Sequence, residues 1–342
     1  MPNASVIGTG LIGASLGLAL KEQGWTVVGW DPSPEALRVA SERGALDRTA
    51  ASAGEACSGA DLVILAGPLQ ANVATLQTIT TTALVTDVTS VKSPFVGMAP
   101  EGVRFVGGHP MAGREHAGPA AASAGLFRGA PWVVCDDGAE RGDVEHLVEI
   151  LQAIGANPVV MSSIDHDRVV ASISHLPLLL AVALVNEIAD DPQTAELVSG
   201  SFRDLTRVAS SESSWWPEVL AANAKPVSDA LDSLIDHLNR IRGEIRESAT
   251  EDLRVELGQA RDHRSHMAPP LTLVRVILQD RPGEIAAVGH ALETSRVDVR
   301  DLQLRHAVHG GGGVLTLSVR PGEAETLKTA LFDEGFQLEP DD

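Results

Sequence analysis

Hydrophobic and polar positions change period repeatedly along the first 160 residues. Short apolar runs at Ala4–Ile7, Thr26–Trp30, Asp61–Leu65, Leu84–Asp87, Arg104–Val106 and Trp132–Cys135 are bounded by turn-forming residues and predict strands. Between them, apolar residues recur at helical spacing over Leu11–Gln23, Pro34–Arg43 and Val144–Ile154. Strand and helix in alternation predict an α/β, doubly wound Rossmann-type domain over 1–162. From 163 to 262 the strand signals vanish. Arg168–Ile188 and Val227–Glu247 are long apolar-periodic segments and predict an all-helical domain, in which Pro177 is expected to kink the first helix. Arg261–Pro270 is polar, ends in Pro269-Pro270 and predicts a linker. The remainder, 271–342, alternates over Leu271–Leu278, Val297–His306 and Gly313–Val319 and is helical over Gly283–Thr294 and Glu323–Glu334. With a turn at Gly310–Gly313 and a last strand at Gln337–Leu338, the order is βαββαβ, a ferredoxin-like domain.

The first strand runs into its helix through Gly8-Thr9-Gly10-Leu11-Ile12-Gly13, and Asp31 closes the second strand 18 residues past Gly13. This is a dinucleotide-binding βαβ unit. Gly8 permits the turn, Gly10 leaves the backbone bare, and Gly13 lets helix and strand approach. The helix N-terminus at Leu11, Ile12 and Gly13 presents amide donors to a pyrophosphate. A carboxylate at Asp31 accepts from ribose hydroxyls and repels a 2′-phosphate, so the expected cofactor is NAD rather than NADP. The loop Gly67-Pro68, after one of these apolar runs, falls at the same sheet edge.

Charge narrows the partners. With 26 basic against 46 acidic residues the net charge is −20, which disfavours nucleic acid and anionic membranes. An anionic substrate would then need a local cationic site. No uninterrupted apolar run reaches spanning length, the longest candidate being Leu176–Val185, and no basic leader opens the chain, so neither membrane span nor signal peptide is expected. Cys57 and Cys135 are isolated, which fits a reducing cytoplasm, and no spacing suggests a metal site.

Three constellations bear chemistry. His109, in Gly107-Gly108-His109-Pro110-Met111-Ala112-Gly113 directly after a strand, is able to act as a general base near neutrality; the alternative is a histidine that satisfies loop carbonyls. Ser90, in Asp87-Val88-Thr89-Ser90-Val91-Lys92, either hydrogen-bonds His109 and sets its tautomer, contacts the nicotinamide, or caps the next turn. Arg203 and Arg207 lie four apart, as on one helix face, and Arg207 is the candidate clamp for a carboxylate, against the alternative of a solvated arginine. Trp215 and Trp216 follow and suit packing or a ligand contact. His166 and His175 are nine residues apart, about 900° on an α-helix, so a straight helix aims them oppositely; His175, beside Pro177, is the one able to face a cleft.

Together these segments resemble the prephenate/arogenate dehydrogenase family of tyrosine biosynthesis. The resemblance rests on the glycine fingerprint, on Thr86–Lys92, on Gly107–Gly113 with Glu115, on His166-Asp167, on Ser174-His175-Leu176-Pro177, and on Phe202-Arg203-Asp204-Leu205-Thr206-Arg207 with Trp216. It implies oxidative decarboxylation with NAD: His109 as base, Ser90 orienting it and the nicotinamide, and Arg207, His175 and Trp216 on the substrate. It further implies a homodimer built through the helical domain. The last domain, with Asp280-Arg281-Pro282-Gly283 before its helix, looks like an ACT domain and implies an amino-acid effector. One departure bears on specificity. The family often reads Ser-His-Leu-Pro-His, and Leu178 stands at the last position here, which leaves prephenate and arogenate both open as substrates. The rival readings are a hydroxy-acid dehydrogenase with a lysine acid/base, for which 163–262 offers only Lys225, and a non-catalytic NAD- and amino-acid-sensing regulator.

Overall fold

The computed structural model describes residues 1–113, 117–190, 193–194, 197–198, 200–210, 214–267, 271–279, 281–306 and 312–339. The chain divides into two compact units, Met1–His237 and Leu238–Asp342, where the sequence reading has three domains.

Eight strands form the sheet of the first unit: β1 (Asn3–Ile7), β2 (Thr26–Trp30), β3 (Arg48–Thr49), β4 (Leu62–Leu65), β5 (Leu84–Asp87), β6 (Arg104–Pro110), β7 (Pro131–Cys135) and β8 (Asn157–Met161). Their order is β3-β2-β1-β4-β5-β6-β7-β8, with every pairing parallel except β6 with β7. Helices α1 (Leu11–Glu22), α2 (Pro34–Glu42), α3 (Ala53–Ala56), α4 (Leu69–Thr78) and α5 (Arg141–Ala153) cover it. Both faces are buried, which is why the strands read as continuous apolar runs. Within β4, Leu62 and Ile64 join a core with Leu16, Leu20, Trp132 and Leu147. Val63 and Leu65 join a second core with Leu69, Leu76, Val85 and Phe95.

Three strands depart from expectation, the first being β3, two exposed residues with no apolar run. β6 runs on through Gly107, Gly108, His109 and Pro110, because these residues pair with Cys135, Val134, Val133 and Trp132 of β7; the segment is strand rather than loop. β8 has no clear sequence signal: Pro158 interrupts it, and Val159 and Val160 are exposed.

The helical segment of the first unit begins with α6 (Ser163–Val170) and α7 (Leu176–Ile188), joined by a π turn at Ala171–His175. Pro177 has no N–H for the i→i−4 ladder, and the expected kink takes the form of this widened turn, closed by the Leu176 amide on the Ala171 carbonyl. The continuous helix Ser163–Ile188 is long and apolar enough, by length and composition, to cross a membrane, which the interrupted apolar run does not suggest. Within it, however, His166, Asp167 and His175 are buried and engage polar partners from other segments. Then follow α8 (Gly200–Thr206), a 3₁₀ turn at Arg207–Ser210, α9 (Trp216–Ala222) and α10 (Ala224–Arg246), within which the two units divide.

In the second unit α11 (Thr250–Met267) extends through most of the expected linker. Glu251 and Asp252 in its first turn and Arg264 and His266 in its last complement the helix dipole, so a segment without apolar periodicity is helical nonetheless. Pro269-Pro270 and Gly310-Gly311 of the expected turn lie outside the described residues. β9 (Thr272–Leu278), α12 (Glu284–Ser295), β10 (Asp301–His306), β11 (Gly313–Val319), α13 (Ala324–Asp333) and β12 (Gln337–Leu338) complete the chain. The sheet order is β10-β11-β9-β12, all antiparallel. Val274, Val276 and Leu278 alternate onto a core with Val288, Leu327 and Leu331, which leaves the other face of β9 open.

Gly8 and Gly13 are fixed by close approach. Gly8 has φ +98°, and a Cβ there would lie 2.6 Å from the Ala66 carbonyl carbon; one at Gly13 would lie 1.9 Å from the Gly8 oxygen. A Cβ at Gly10 would meet nothing within 4 Å. Gly13→Ala is therefore expected to destabilise the protein by about 1–3 kcal/mol, and Gly10→Ala by less than about 0.5 kcal/mol, measured as shifts in the urea midpoint.

Candidate active site

At the carboxyl edge of the sheet, the loops after β1 and β4 meet at the point where strand order reverses. Gly10 caps α1 without a side-chain bond, and no acidic residue occupies the first turn, so the amides of Leu11, Ile12 and Gly13 sit at the positive end of the helix dipole. Asp31, at the end of β2, accepts from the Thr9 amide at 2.7 Å and from the Ser33 amide at 2.8 Å, which ties the glycine loop to the second strand. Gly67-Pro68 is held by buried Asn72: its Oδ1 accepts from the Gly67 amide at 3.0 Å, and its Nδ2 donates to the Leu65 and Gly67 carbonyls at 2.9 Å. The bare Gly10, the uncapped helix start and the Asp31 carboxylate fit a dinucleotide with free ribose hydroxyls.

Further along the same edge lies a buried web of charges. Lys92 Nζ donates to the Asp87 carboxylate, to Thr89 Oγ1 at 3.0 Å and to the Gly108 carbonyl at 2.6 Å. Asp87 also accepts from the Gly108 amide at 3.1 Å. The backbone preceding His109 is thus gripped on both sides. Asp167 accepts from the Lys92 and Ser93 amides, each at 2.8 Å, and from the Ser93 hydroxyl. His166 Nδ1 lies 2.8 Å from Asp167 Oδ1, and its Nε2 lies 2.8 Å from His109 Nδ1. The opposite nitrogen of the His109 ring, Nε2, is the one left for a ligand.

The expectation that Ser90 sets the His109 tautomer is corrected here. His166, 57 residues away, occupies that ring nitrogen, and Ser90 stays half-buried on the loop after β5 with no hydrogen bond to His109. The opposite aim of His166 and His175 is corrected as well. Each residue of a π turn advances less than the α-helical ~100°, so five of them swing His175 back toward the His166 side. His175 is 1% exposed and packs edge-on to Trp216, with ring centroids 5.8 Å apart. Among the described residues, His175 Nε2 and Trp216 Nε1 are both buried without a hydrogen-bond partner. Asn223, also buried, donates to the Asp167 carbonyl at 2.8 Å and lies 3.2 Å from His175 Nδ1.

Arg203 and Arg207 are both exposed. α8 ends at Thr206, and Arg207 opens the 3₁₀ turn, exposed, in a segment packed against α7. Glu115 lies outside the described residues. A cavity of about 380 Å³ lined by Phe95, Val103, Phe105, Asp137 and Glu140 is a separate feature that shares Lys92 with the web but not His109.

Burial pushes the His109 imidazole well below its usual range, helped by the Lys92 charge and by His166 and His175 and opposed by Asp167. Burial lowers His175 too, and His166 adds to this against the pull of Asp167. For Asp167, burial acts upward, but hydrogen bonds from His166, Ser93 and two backbone amides outweigh it and hold the carboxyl below the usual range. The Cys135 thiol is pushed up to about 12 by burial and is inert.

Comparison with known proteins gives the family. Residues 16–160 match the family model described as prephenate dehydrogenase, nucleotide-binding domain, and residues 162–259 match its dimerization domain. Prephenate dehydrogenase of Bacillus subtilis (strain 168) is 30% identical over 334 residues, covering 91% of this chain and 90% of that protein. The chain belongs to the prephenate dehydrogenase family. The Lactococcus lactis prephenate dehydrogenase is 33% identical over 257 residues, 70% of each chain. Among solved structures, A. aeolicus prephenate dehydrogenase in complex with hydroxyphenyl propionate and NAD+ superposes with a TM-score of 0.73 at 27% identity, covering 78% of this chain and 99% of that one. Synechocystis arogenate dehydrogenase gives 0.70 at 28% identity, covering 78% and 100%. The sequence singles out His109, His175 and Trp216, which the fold gathers in one region, but it gives no working role to Lys92, Asp87, Asp167 or Asn223 and none to His166 beyond its spacing from His175.

The two depressed histidines give stability a defined pH dependence. Below about 6.5 the unfolded chain binds protons that the folded His109 and His175 refuse. Stability is therefore expected to be level from pH 8 to 7 and to fall below 6.5. The slope reaches about 1.4 kcal/mol per pH unit for each histidine until its folded pKa is passed. Urea unfolding across pH 5–8 measures this, and His175→Asn should reduce the slope.

Proposed function

We propose that this chain catalyses the NAD-dependent oxidative decarboxylation of prephenate to 4-hydroxyphenylpyruvate, with His109 as the base. The observation that carries the reading is a neutral imidazole in one site with two buried ring nitrogens that lack partners among the described residues, His175 Nε2 and the indole N–H of Trp216. A buried unsatisfied donor is costly, and an anionic or carbonyl-bearing ligand satisfies it. NAD+, when bound, supplies the acceptor for the hydride leaving the ring carbinol. The glycine loop and the first turn of α1 would hold its pyrophosphate and Asp31 its ribose hydroxyls, with Gly67-Pro68 and Ser90 as the residues that would meet its nicotinamide end. His109 Nε2 takes the hydroxyl proton as the carbinol becomes a carbonyl. The ring carboxylate then leaves as carbon dioxide, the bonding electrons aromatise the ring, and the proton returns to the phenolic oxygen. Arg207 engages a substrate carboxylate from the segment packed on α7. Because burial holds the His109 proton affinity low, the base is free at neutral and mildly acidic pH.

Arogenate is the second reading. It stays open because Leu178, 8% exposed, stands where the family often carries histidine, so a histidine contact that could tell a keto group from an amine is missing at that position. For the second unit, we infer an ACT-like domain that binds an aromatic amino acid, tyrosine first; its βαββαβ element order and antiparallel sheet order support this. A homodimer through the helical segment is supported by exposed Ile164, Ile173, Val182 and Val185 along Ser163–Ile188 and by the family description of 162–259. Buried, unpaired Cys57 and Cys135 suit a reducing, cytoplasmic setting.

Steady-state formation of NADH at 340 nm should be seen with prephenate and NAD+ and be far weaker with NADP+; arogenate as the preferred substrate would select the second reading. His109→Asn is expected to lower kcat by at least about 100-fold while leaving NAD+ affinity unchanged, and near-normal turnover would reject the base. Arg207→Gln is expected to raise KM by about tenfold or more, with a smaller effect on kcat. Titration calorimetry of the full chain with tyrosine, phenylalanine and tryptophan tests the effector domain: heat with none of them, at millimolar concentration, rejects it.

A further inference from the structure

We propose that Asp167 is a positioning residue that fixes two site histidines in opposite tautomers, its carboxylate acting on His109 and its carbonyl on His175. The inference rests on the site assigned above and concerns atoms that the reaction uses but that Asp167 does not touch.

The first arm is a chain of 2.8 Å contacts. An ionised carboxylate accepts only, so His166 Nδ1 donates to Asp167 Oδ1. A neutral imidazole protonated at Nδ1 presents a bare Nε2. His109 Nδ1 must then carry the hydrogen of the next bond, and His109 Nε2 is left with a lone pair. The groups that act on this ring are Lys92, His166, His175 and Asp167.

The second arm starts from the other side of the same residue. The Asp167 carbonyl accepts from Asn223 at 2.8 Å, which orients the amide nitrogen of Asn223 inward. That nitrogen has hydrogens only to give, so its contact with His175 Nδ1, at 3.2 Å, makes Nδ1 the acceptor. The His175 hydrogen is thereby placed on Nε2, the atom found buried and without a partner among the described residues. One residue thus yields a nitrogen that takes a proton and a nitrogen that offers one. Oxidation of an alcohol uses the first, a substrate oxygen can accept from the second, and a free imidazole fixes neither.

The test is long-range ¹H–¹⁵N correlation on full-length protein with ¹⁵N-labelled histidine at pH 7.5, with the rings assigned by loss of signals in His109→Asn and His175→Asn. The expected result is His109 protonated at Nδ1 and His175 protonated at Nε2. In Asn223→Asp, where the donor becomes an acceptor of similar shape, His175 is expected to gain a proton at Nδ1. His166→Asn should lower kcat by about 10- to 100-fold with KM near its original value, and Asn223→Leu should raise KM by about tenfold with kcat changed less than threefold. A purely structural role would move kcat and KM together and leave the tautomers alone. The same tautomer on both rings, a proton on His109 Nε2, or a doubly protonated His166 overturns the proposal. The spectra need no turnover. If the tautomers are as assigned and prephenate yields no NADH, the activity fails and this inference stands. Turnover with the tautomers reversed sinks the inference and leaves the activity standing.

Discussion

Lys92 Nζ is 1% exposed and is surrounded by the Asp87 carboxylate, the Thr89 hydroxyl and the Gly108 carbonyl. A buried ammonium is tolerated only where its charge is matched and its hydrogens are used, and here all three are. The consequence reaches His109 by two routes. Through Gly108, whose amide and carbonyl are both bound, the ion pair fixes the backbone that bears the imidazole. Through its own amide, Lys92 holds Asp167, and Asp167 with His166 holds the imidazole ring. Removing either charge would leave the other buried and unmatched, at a cost of about 3–5 kcal/mol, so the web persists or fails as a unit. It also couples the sheet to the first long helix, because Asp167 lies on α6 while its partners lie on the loop after β5.

The parts of the fold that are legible in the sequence are those governed by local constraints. The glycine fingerprint is readable because Gly8 and Gly13 each answer a clash within a few residues or against the adjacent strand. Strands such as β1, β4, β5 and β7 are readable because both faces of the sheet are covered there, so apolar runs are unbroken. β9 is readable for the opposite reason, since its single covered face imposes alternation. His109 and His175 stand out because each sits close to proline in a stretch with few other polar side chains.

What the sequence hides is set by tertiary partners. Gly107 and Gly108 look like a loop, and they are strand because β7 lies alongside them. Ser90 is near His109 in the order of strands, but the ring nitrogen belongs to His166 on a different element. An ideal α-helix aims His166 and His175 apart, and five residues of π turn cancel much of the difference. Asn223 carries no reading in the sequence, and Lys92 none beyond its place in Asp87–Lys92. No pattern of spacing marks either as buried. The polar helix at Thr250–Met267 reads in part as a linker because its stability comes from charges at its ends rather than from an apolar stripe.

The strong negative charge of the chain bears on how such a site recognises an acid. A protein carrying −20 repels an anion at a distance, and a deeply buried cation offered to the substrate would need a counter-charge of its own. The buried ammonium of Lys92 already has that counter-charge and is fully engaged. The donors left over are neutral: an imidazole held uncharged by burial and an indole N–H. Neutral donors forgo the attraction of an ion pair, but they avoid the desolvation of a second charge, and they do not compete with Lys92 for Asp87 or Asp167. The exposed Arg207 can supply charge where water still screens it. A second buried cation beside His109 would lower the proton affinity of that ring further, which neutral donors do not.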